Sequence, residues 1–90
     1  MRVALVAKDK AGALQTRLDN RADHVAYLKA NEIVEMAGPL LDDAGEMCGS
    51  LIILNVDDMA QAEDFVAGDP YGKAGLFDSV ELTAWNKVIG

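Results

Sequence analysis

The stretch CGSLIILNV, residues 48–56, constrains the fold most, because it predicts a strand with apolar side chains on both of its faces. Successive side chains of a strand point to opposite sides of the sheet. One side would carry Ser50, Ile52, Leu54 and Val56, and the other would carry Leu51 and Ile53. The first predicted strand, VALVA, has the same two-sided pattern. A sheet built from such strands needs a cover on each face.

The order of the elements predicts how this sheet is arranged. They are a strand at 3–7, a helix at 12–30, strands at 31–41 and 48–56, a helix at 57–68 and a strand at 76–85. This βαββαβ order predicts an α+β fold of the ferredoxin-like type, with a four-stranded antiparallel sheet. Right-handed crossovers place both helices on one face. Pro39 marks its strand as an edge strand or a strand end. The 90 residues suffice for one domain, 1–90, and not for two.

The second face of the predicted sheet has no cover within the chain. Two helices on one side leave the opposite apolar side exposed, which is a liability in a monomer. The simplest cover is the same face of a second copy, related by a two-fold axis. We therefore expect a homodimer whose sheets pack face to face.

The charge balance limits the partners. The chain carries 15 acidic residues against 8 lysines and arginines, a net charge of −7. Nucleic acids and anionic membrane surfaces are bound through basic surfaces, so we expect neither as a partner. The apolar run Val3–Ala7 is shorter than the roughly 7–15 residues of a signal-peptide core. A single cysteine, Cys48, excludes an intrachain disulfide. The expected location is the cytoplasm.

Common catalytic motifs and metal-ligand spacings are absent from the sequence. One histidine and one cysteine provide no pair of strong ligands at zinc spacing, so we expect no metal. Neither a phosphate-binding P-loop nor a G-x-S-x-G motif is present, and we expect no cofactor. The acidic pairs at 42–43 and 57–58 are typical of turns and helix caps. Cys48 lacks a base nearby in sequence and is expected to be an inert, partly buried thiol.

His24 is the first candidate for chemistry. In the first helix it forms a stripe with Arg17 and Arg21, beside an apolar stripe. That flank should lie half-buried at the edge of the sheet. The apolar stripe consists of Leu14, Leu18, Val25 and Leu28. Histidine titrates near neutral pH and can act as a base or an acid. A boundary histidine with a structural hydrogen bond is the alternative that the position leaves open.

Asp69 is the second candidate, in the stretch AGDPYGKAGLF at 67–77. Pro70 biases the residue before it toward extended backbone. Asp-Pro is also a helix-start signal, since aspartate caps and proline suits the first helical position. Asp69 is therefore either a cap or part of a site. Tyr71 adds a ring and a hydroxyl, and simple packing against the end of the sheet would also account for it.

Three segments together resemble the YCII-related family of small α+β proteins. They are RADHVAYL, GPLLDDAGEMCGSLIIL and AGDPYGKAGLFDSVELTAW, and they follow the family's order over essentially the whole chain. The resemblance implies a dimeric α/β barrel. It also implies a site built on a histidine of the first helix and an aspartate of the Asp-Pro-aromatic segment, here His24 and Asp69.

The resemblance extends to residues that would bind substrate. Arg21 matches the arginine three residues before the family's histidine, Pro39 lies in its Gly-Pro-Leu segment, and Ser50 matches a small polar residue after a glycine. Ala22 departs from the proline that the family often has there. With Arg17 and Tyr71, these residues are the expected substrate-binding set.

The function implied is that of a small-molecule enzyme. A few YCII-related proteins are implicated in dehydrochlorination or isomerisation of aromatic-degradation intermediates, and the fold resembles muconolactone isomerase. A His24–Asp69 pair suits proton abstraction next to a carbonyl, because the carboxylate fixes one imidazole nitrogen and the other accepts the proton. Arg17 or Arg21 could hold a carboxylate and stabilise an enolate. Two alternatives remain open: a module that binds a small ligand without converting it, and an accessory protein with a vestigial pocket.

Overall fold

The computed structural model describes residues 1–90 and contains one sheet with three helices. The strands are β1 (Arg2–Asp9), β2 (Val34–Leu41), β3 (Met47–Asn55) and β4 (Phe77–Trp85); the helices are α1 (Leu14–Ala30), α2 (Met59–Gly68) and α3 (Pro70–Lys73). The sheet is antiparallel throughout, in the order β2-β3-β1-β4. The predicted ferredoxin-like α+β fold is confirmed, and β2 is the edge strand that Pro39 indicated.

The core lies between the helices and one face of the sheet. β1 is a central strand, and its Val3 pairs with Leu54 of β3 and Ala84 of β4. Alternation along β1 turns every second side chain toward the helices. The fully packed cluster consists of Val3, Leu5, Ala7, Ile52, Leu54, Val56, Ala62 and Phe65.

Helix α1 faces the sheet differently from the expectation. Its buried residues are Arg17 and His24, whereas Leu18 of the predicted apolar stripe is 46% exposed. The expectation that the polar flank is half-buried is therefore wrong. Arg17 and His24 are buried, whereas Arg21 is exposed. Arg17 and His24 can be buried because α1 faces polar partners there: no buried side-chain nitrogen or oxygen lacks a hydrogen bond.

The opposite face of the sheet is partly uncovered. Directly paired residues of neighbouring strands share a face, and this rule places Met36 and Trp85 on the same side as Leu51 and Ile53. Met36, Leu51 and Trp85 are exposed, whereas Ile53 is buried. The face therefore carries exposed apolar side chains beside charged ones of β1 and β4, and the homodimer remains a prediction. None of the helices has the length and apolarity needed to cross a bilayer.

Candidate active site

The segment after α2 is built around Asp69. Its carboxylate oxygen Oδ1 accepts a hydrogen bond from the backbone N–H of Tyr71, 2.9 Å away, and so caps the short helix α3. Pro70 occupies the first position of that helix, where its missing N–H costs nothing. The same oxygen lies 2.8 Å from Nδ1 of His24. Asp69 is therefore a helix cap and a partner of His24 at once, and the two interpretations do not exclude each other.

Gly68 lets this segment approach α1. Its backbone is not left-handed, so α2 does not end there through the conformational freedom of glycine. A side chain there would instead collide with the hydroxyl of Tyr27. Tyr27 donates its hydroxyl to the carbonyl of Phe65, 2.9 Å away, which ties α1 to α2. Asp69 is thereby brought within reach of α1.

Only one of the two ring nitrogens of His24 is hydrogen-bonded within the protein. An ionised carboxylate only accepts hydrogen bonds, so Nδ1 of His24 donates to Asp69 and carries the hydrogen. Nε2 makes no hydrogen bond within the protein, although every buried side-chain nitrogen and oxygen has a partner. Nε2 is therefore accessible, and His24 lines a cavity. A neutral imidazole in this tautomer presents a lone pair on Nε2.

Tyr71 lies between two groups of the site. Its ring stacks on the imidazole of His24 with centroids 3.8 Å apart and planes inclined by 15°. The guanidinium carbon of Arg17 lies 4.5 Å from the centre of the same ring. Phe77 contacts it edge-on, at 6.1 Å between centroids. Burial raises the pKa of Tyr71, so the phenol remains protonated at neutral pH.

Arg17 is a buried cation with a dedicated partner. Its Nε and Nη2 donate to the two carboxylate oxygens of Asp9, at 2.7 and 2.9 Å, and Nη2 also donates to Oγ of Ser50 at 3.0 Å. Burial by itself lowers the pKa of Arg17, but the hydrogen bonds and charge of Asp9, together with the neighbouring Tyr71, outweigh it and raise that pKa overall. Arg17 therefore stays charged and in a fixed orientation.

Asp9 was missed by the sequence analysis. Alternation along β1 puts it on the same side as Val3, Leu5 and Ala7, which face the core. A carboxylate at the next inward position of a buried strand needs a cationic partner. That pattern could have identified Asp9 as the anchor of a buried arginine.

The cavity lies between α1 and the strands β2 and β3, with a volume of about 230 Å³. Its lining contains cations and a histidine but no aspartate or glutamate, although the chain has a net charge of −7. A site with this charge favours anionic ligands. The lining residues are Arg17, Arg21, His24, Val25, Leu28, Lys29, Ala37, Gly38, Pro39, Met47, Ser50, Ile52 and Tyr71.

The residues proposed from the sequence lie together. All of the expected substrate-binding residues and His24 line the cavity, and Asp69 contacts His24 from outside the lining. Lys29 was not anticipated, although it lies on α1 at a spacing of five from His24, near the flank that carries Arg17 and Arg21. Cys48 is half-buried and lies outside the lining.

Comparisons with known proteins identify the family that this chain resembles. The model of the YCII-related domain matches residues 1–86. An uncharacterised protein of Haemophilus influenzae is 32% identical over 98 residues, covering 99% of this chain and all of that protein. Protein YciI of Escherichia coli is 30% identical over 98 residues with the same coverage.

Solved structures share the fold of this chain. TftG of Burkholderia phenoliruptrix, a 5-chloro-2-hydroxyhydroquinone dehydrochlorinase solved in complex with 2,5-dihydroxybenzoquinone, is 35% identical to this chain. The match covers 96% of this chain and 94% of TftG, with a TM-score of 0.88. An antibiotic biosynthesis monooxygenase, at 13% identity and a TM-score of 0.57 over 96% of this chain and 98% of its own, shares the fold alone.

Proposed function

We propose a function for this chain, which belongs to the YCII-related domain family: it is an enzyme of the lyase or isomerase type that acts on a small anionic molecule. His24 is its base and Asp69 orients that base. The observation that carries the proposal is the pairing of one imidazole nitrogen with a buried carboxylate, while the other nitrogen is open to a cation-lined cavity.

The proposed reaction begins with a proton transfer. Nε2 of His24 takes a proton from a carbon next to a carbonyl, which a hydroxyhydroquinone presents in its diketo tautomer, and the electron pair of that C–H bond moves into an enolate. In an elimination the pair then expels a leaving group such as chloride, whereas in an isomerisation the proton returns at another carbon. Asp69 stabilises the imidazolium through the Nδ1 hydrogen bond. Arg17 and Arg21 offset the negative charge of the enolate.

The proposed substrates are small hydroxylated rings with acidic groups. The cavity, at about 230 Å³, is small, and its lining combines cations with the flat ring of Tyr71. TftG carries the name of a dehydrochlorinase of a chlorinated hydroxyhydroquinone, and its bound molecule is a dihydroxybenzoquinone. At 35% identity over nearly the whole chain, this likeness supports the same chemical class here.

The proposed enzyme is a homodimer through the outer face of the sheet. Met36, Leu51 and Trp85 are exposed on that face. Packing it against the same face of a second copy would bury these side chains at a two-fold interface. The acidic composition and the single cysteine are consistent with a cytoplasmic location of the proposed enzyme.

The proposal is tested with the variants His24→Gln and Asp69→Asn. Chloride release from 5-chloro-2-hydroxyhydroquinone is measured alongside circular dichroism and ligand binding. Loss of a general base lowers turnover by about 10²- to 10⁴-fold, so His24→Gln should lose that much and remain folded. Asp69→Asn should lose turnover less than His24→Gln but far more than Asp64→Asn, a matched change at an exposed position of α2.

Three outcomes would contradict the proposal. Folded His24→Gln protein with full turnover would remove His24 as the base. Binding of 2,5-dihydroxybenzoquinone by the natural protein, with no conversion of chlorinated or unsaturated hydroxyquinones, would favour the non-catalytic binding module instead. Absence of both binding and conversion would favour the accessory role.

A further inference from the structure

We infer that Ser50 is a specificity-determining residue whose hydroxyl, oriented by Arg17 and Asp9, donates a hydrogen bond to an anionic oxygen of the substrate. The inference rests on the proposed function of the cavity and deepens it. It assigns the binding of the substrate's oxyanion to one side of the cavity, separate from the base His24.

The hydroxyl of Ser50 has an unused hydrogen. Oγ accepts a hydrogen bond from Nη2 of Arg17 at 3.0 Å, and it donates to no acceptor within the protein. Ser50 is 2% exposed and lines the cavity. A hydroxyl carries one hydrogen that turns toward whatever acceptor is within reach. Because Nη2 occupies one side of Oγ, an acceptor in the cavity is the remaining partner for that hydrogen.

Arg17 fixes the direction of this donor and strengthens it. The two hydrogen bonds to Asp9 hold the guanidinium, and Tyr71 lies against it at 4.5 Å. Donation from a cation to Oγ polarises the O–H bond, so the hydroxyl donates more strongly to an anion. Arg17 cannot turn away from Ser50 without breaking its pairing with Asp9, whose side chain is 5% exposed.

A second donor accompanies the hydroxyl. Nη1 of Arg17 bonds neither Asp9 nor Ser50, and the guanidinium lines the same cavity as Ser50. The two groups offer a neutral donor and a charged donor to one oxygen. This arrangement suits a phenolate or enolate oxygen better than an ether oxygen, which bears no charge.

The position of Tyr71 relates this donor pair to the base. Its ring contacts the imidazole of His24 at 3.8 Å between centroids and the guanidinium of Arg17 at 4.5 Å. One small ligand can therefore reach Nε2 and the donor pair together. The acidic C–H and the anionic oxygen must lie a few bonds apart on that ligand. A hydroxylated quinone or its enol has this spacing.

The test compares two ligands of the same skeleton. 2,5-Dihydroxybenzoquinone has acidic hydroxyl groups and is anionic at neutral pH, whereas 2,5-dimethoxybenzoquinone is neutral. Ser50→Ala is compared with Ser79→Ala, a matched change at an exposed serine of β4. Removing a hydrogen bond to a charged group weakens binding by about 10- to 100-fold. Ser50→Ala should weaken binding of the anionic ligand by that factor and leave binding of the neutral ligand within about threefold of the natural protein's.

Ser50→Thr provides the rescue, because it retains the hydroxyl. It should restore the preference for the anionic ligand, and Ser79→Ala should leave both affinities unchanged. Equal affinity of the natural protein and Ser50→Ala for the anionic ligand would overturn the inference and leave the role of His24 intact. Equal weakening of both ligands would also overturn it, since that indicates a packing role. Failure of the natural protein to bind the anionic ligand would overturn the inference and the proposed substrate class together.

Discussion

The buried pair Asp9–Arg17 should be a main determinant of stability, and Asp9→Ala tests this. The change leaves the guanidinium of Arg17, 2% exposed, without a counter-ion. Breaking a buried ion pair by removing one partner costs about 3–5 kcal/mol. Domains of this size have free energies of unfolding of about 5–15 kcal/mol. Asp9→Ala should therefore remove a large share of the stability, measured by urea unfolding at fixed protein concentration.

A double-mutant cycle separates the pair from its surroundings. Arg17→Met removes the charge and retains much of the side-chain volume. The double variant Asp9→Ala, Arg17→Met should be more stable than Asp9→Ala alone, because it buries no unpaired cation. The exposed pair Arg2–Glu35, also 2.9 Å between nitrogen and oxygen, is the control. Its side chains are 33% and 25% exposed, so Glu35→Ala should change the free energy of unfolding far less.

Two results would contradict the dependence of Arg17 on Asp9. If Asp9→Ala costs no more than Glu35→Ala, the buried cation is tolerated without its partner. If the double variant loses the sum of the two single losses, the two side chains do not depend on each other. Either result would also remove the support that Arg17 gives to the hydroxyl of Ser50.

Three further predictions follow from particular contacts. Gly68→Ala should lower the melting temperature, and adding Tyr27→Phe should recover part of the loss, because the new methyl group collides with the Tyr27 hydroxyl. The pKa values of Tyr27 and Tyr71, the two tyrosines, are raised mainly by burial. Phenolate absorbance of the folded protein should therefore appear at a higher pH than in the urea-unfolded chain. The two burials should contribute fully to the free energy of unfolding below about pH 10. That contribution should be lost as the pH rises through the raised pKa values of the two tyrosines. Coincident titrations would contradict this. Leu51→Lys on the outer sheet face should convert the proposed dimer to a monomer by analytical ultracentrifugation, whereas Asp64→Lys, at an exposed position of α2 on the other side of the sheet, should leave it dimeric.

The fold was predictable because its signals are local and repeated. The stretch 48–56 has the period of a strand, and the order of elements left one common topology. Helix α3 was not expected, since four residues are too few to show a helical period. Its start was nevertheless encoded by Asp69 and Pro70, which cap and begin it.

The site was predictable only in part. Apolar periodicity selected Leu18 as a buried residue of α1, whereas the helix buries Arg17 and His24. Periodicity cannot find such a face, because it assumes that buried residues are apolar. The residues alone left His24 and Asp69 as candidates with structural alternatives, and the family resemblance joined them. Asp9 could have been found only by looking along β1 for the partner of a buried arginine.

The tautomer of His24 decides whether this residue can act as the base. The chain has one histidine, so nitrogen-15 NMR reports a single imidazole. At a pH where the ring is neutral, we expect a proton on Nδ1, donated to Asp69, and a bare Nε2 that accepts a proton from substrate. A proton on Nε2 with a bare Nδ1 would contradict this expectation, because His24 would then have no lone pair toward the cavity.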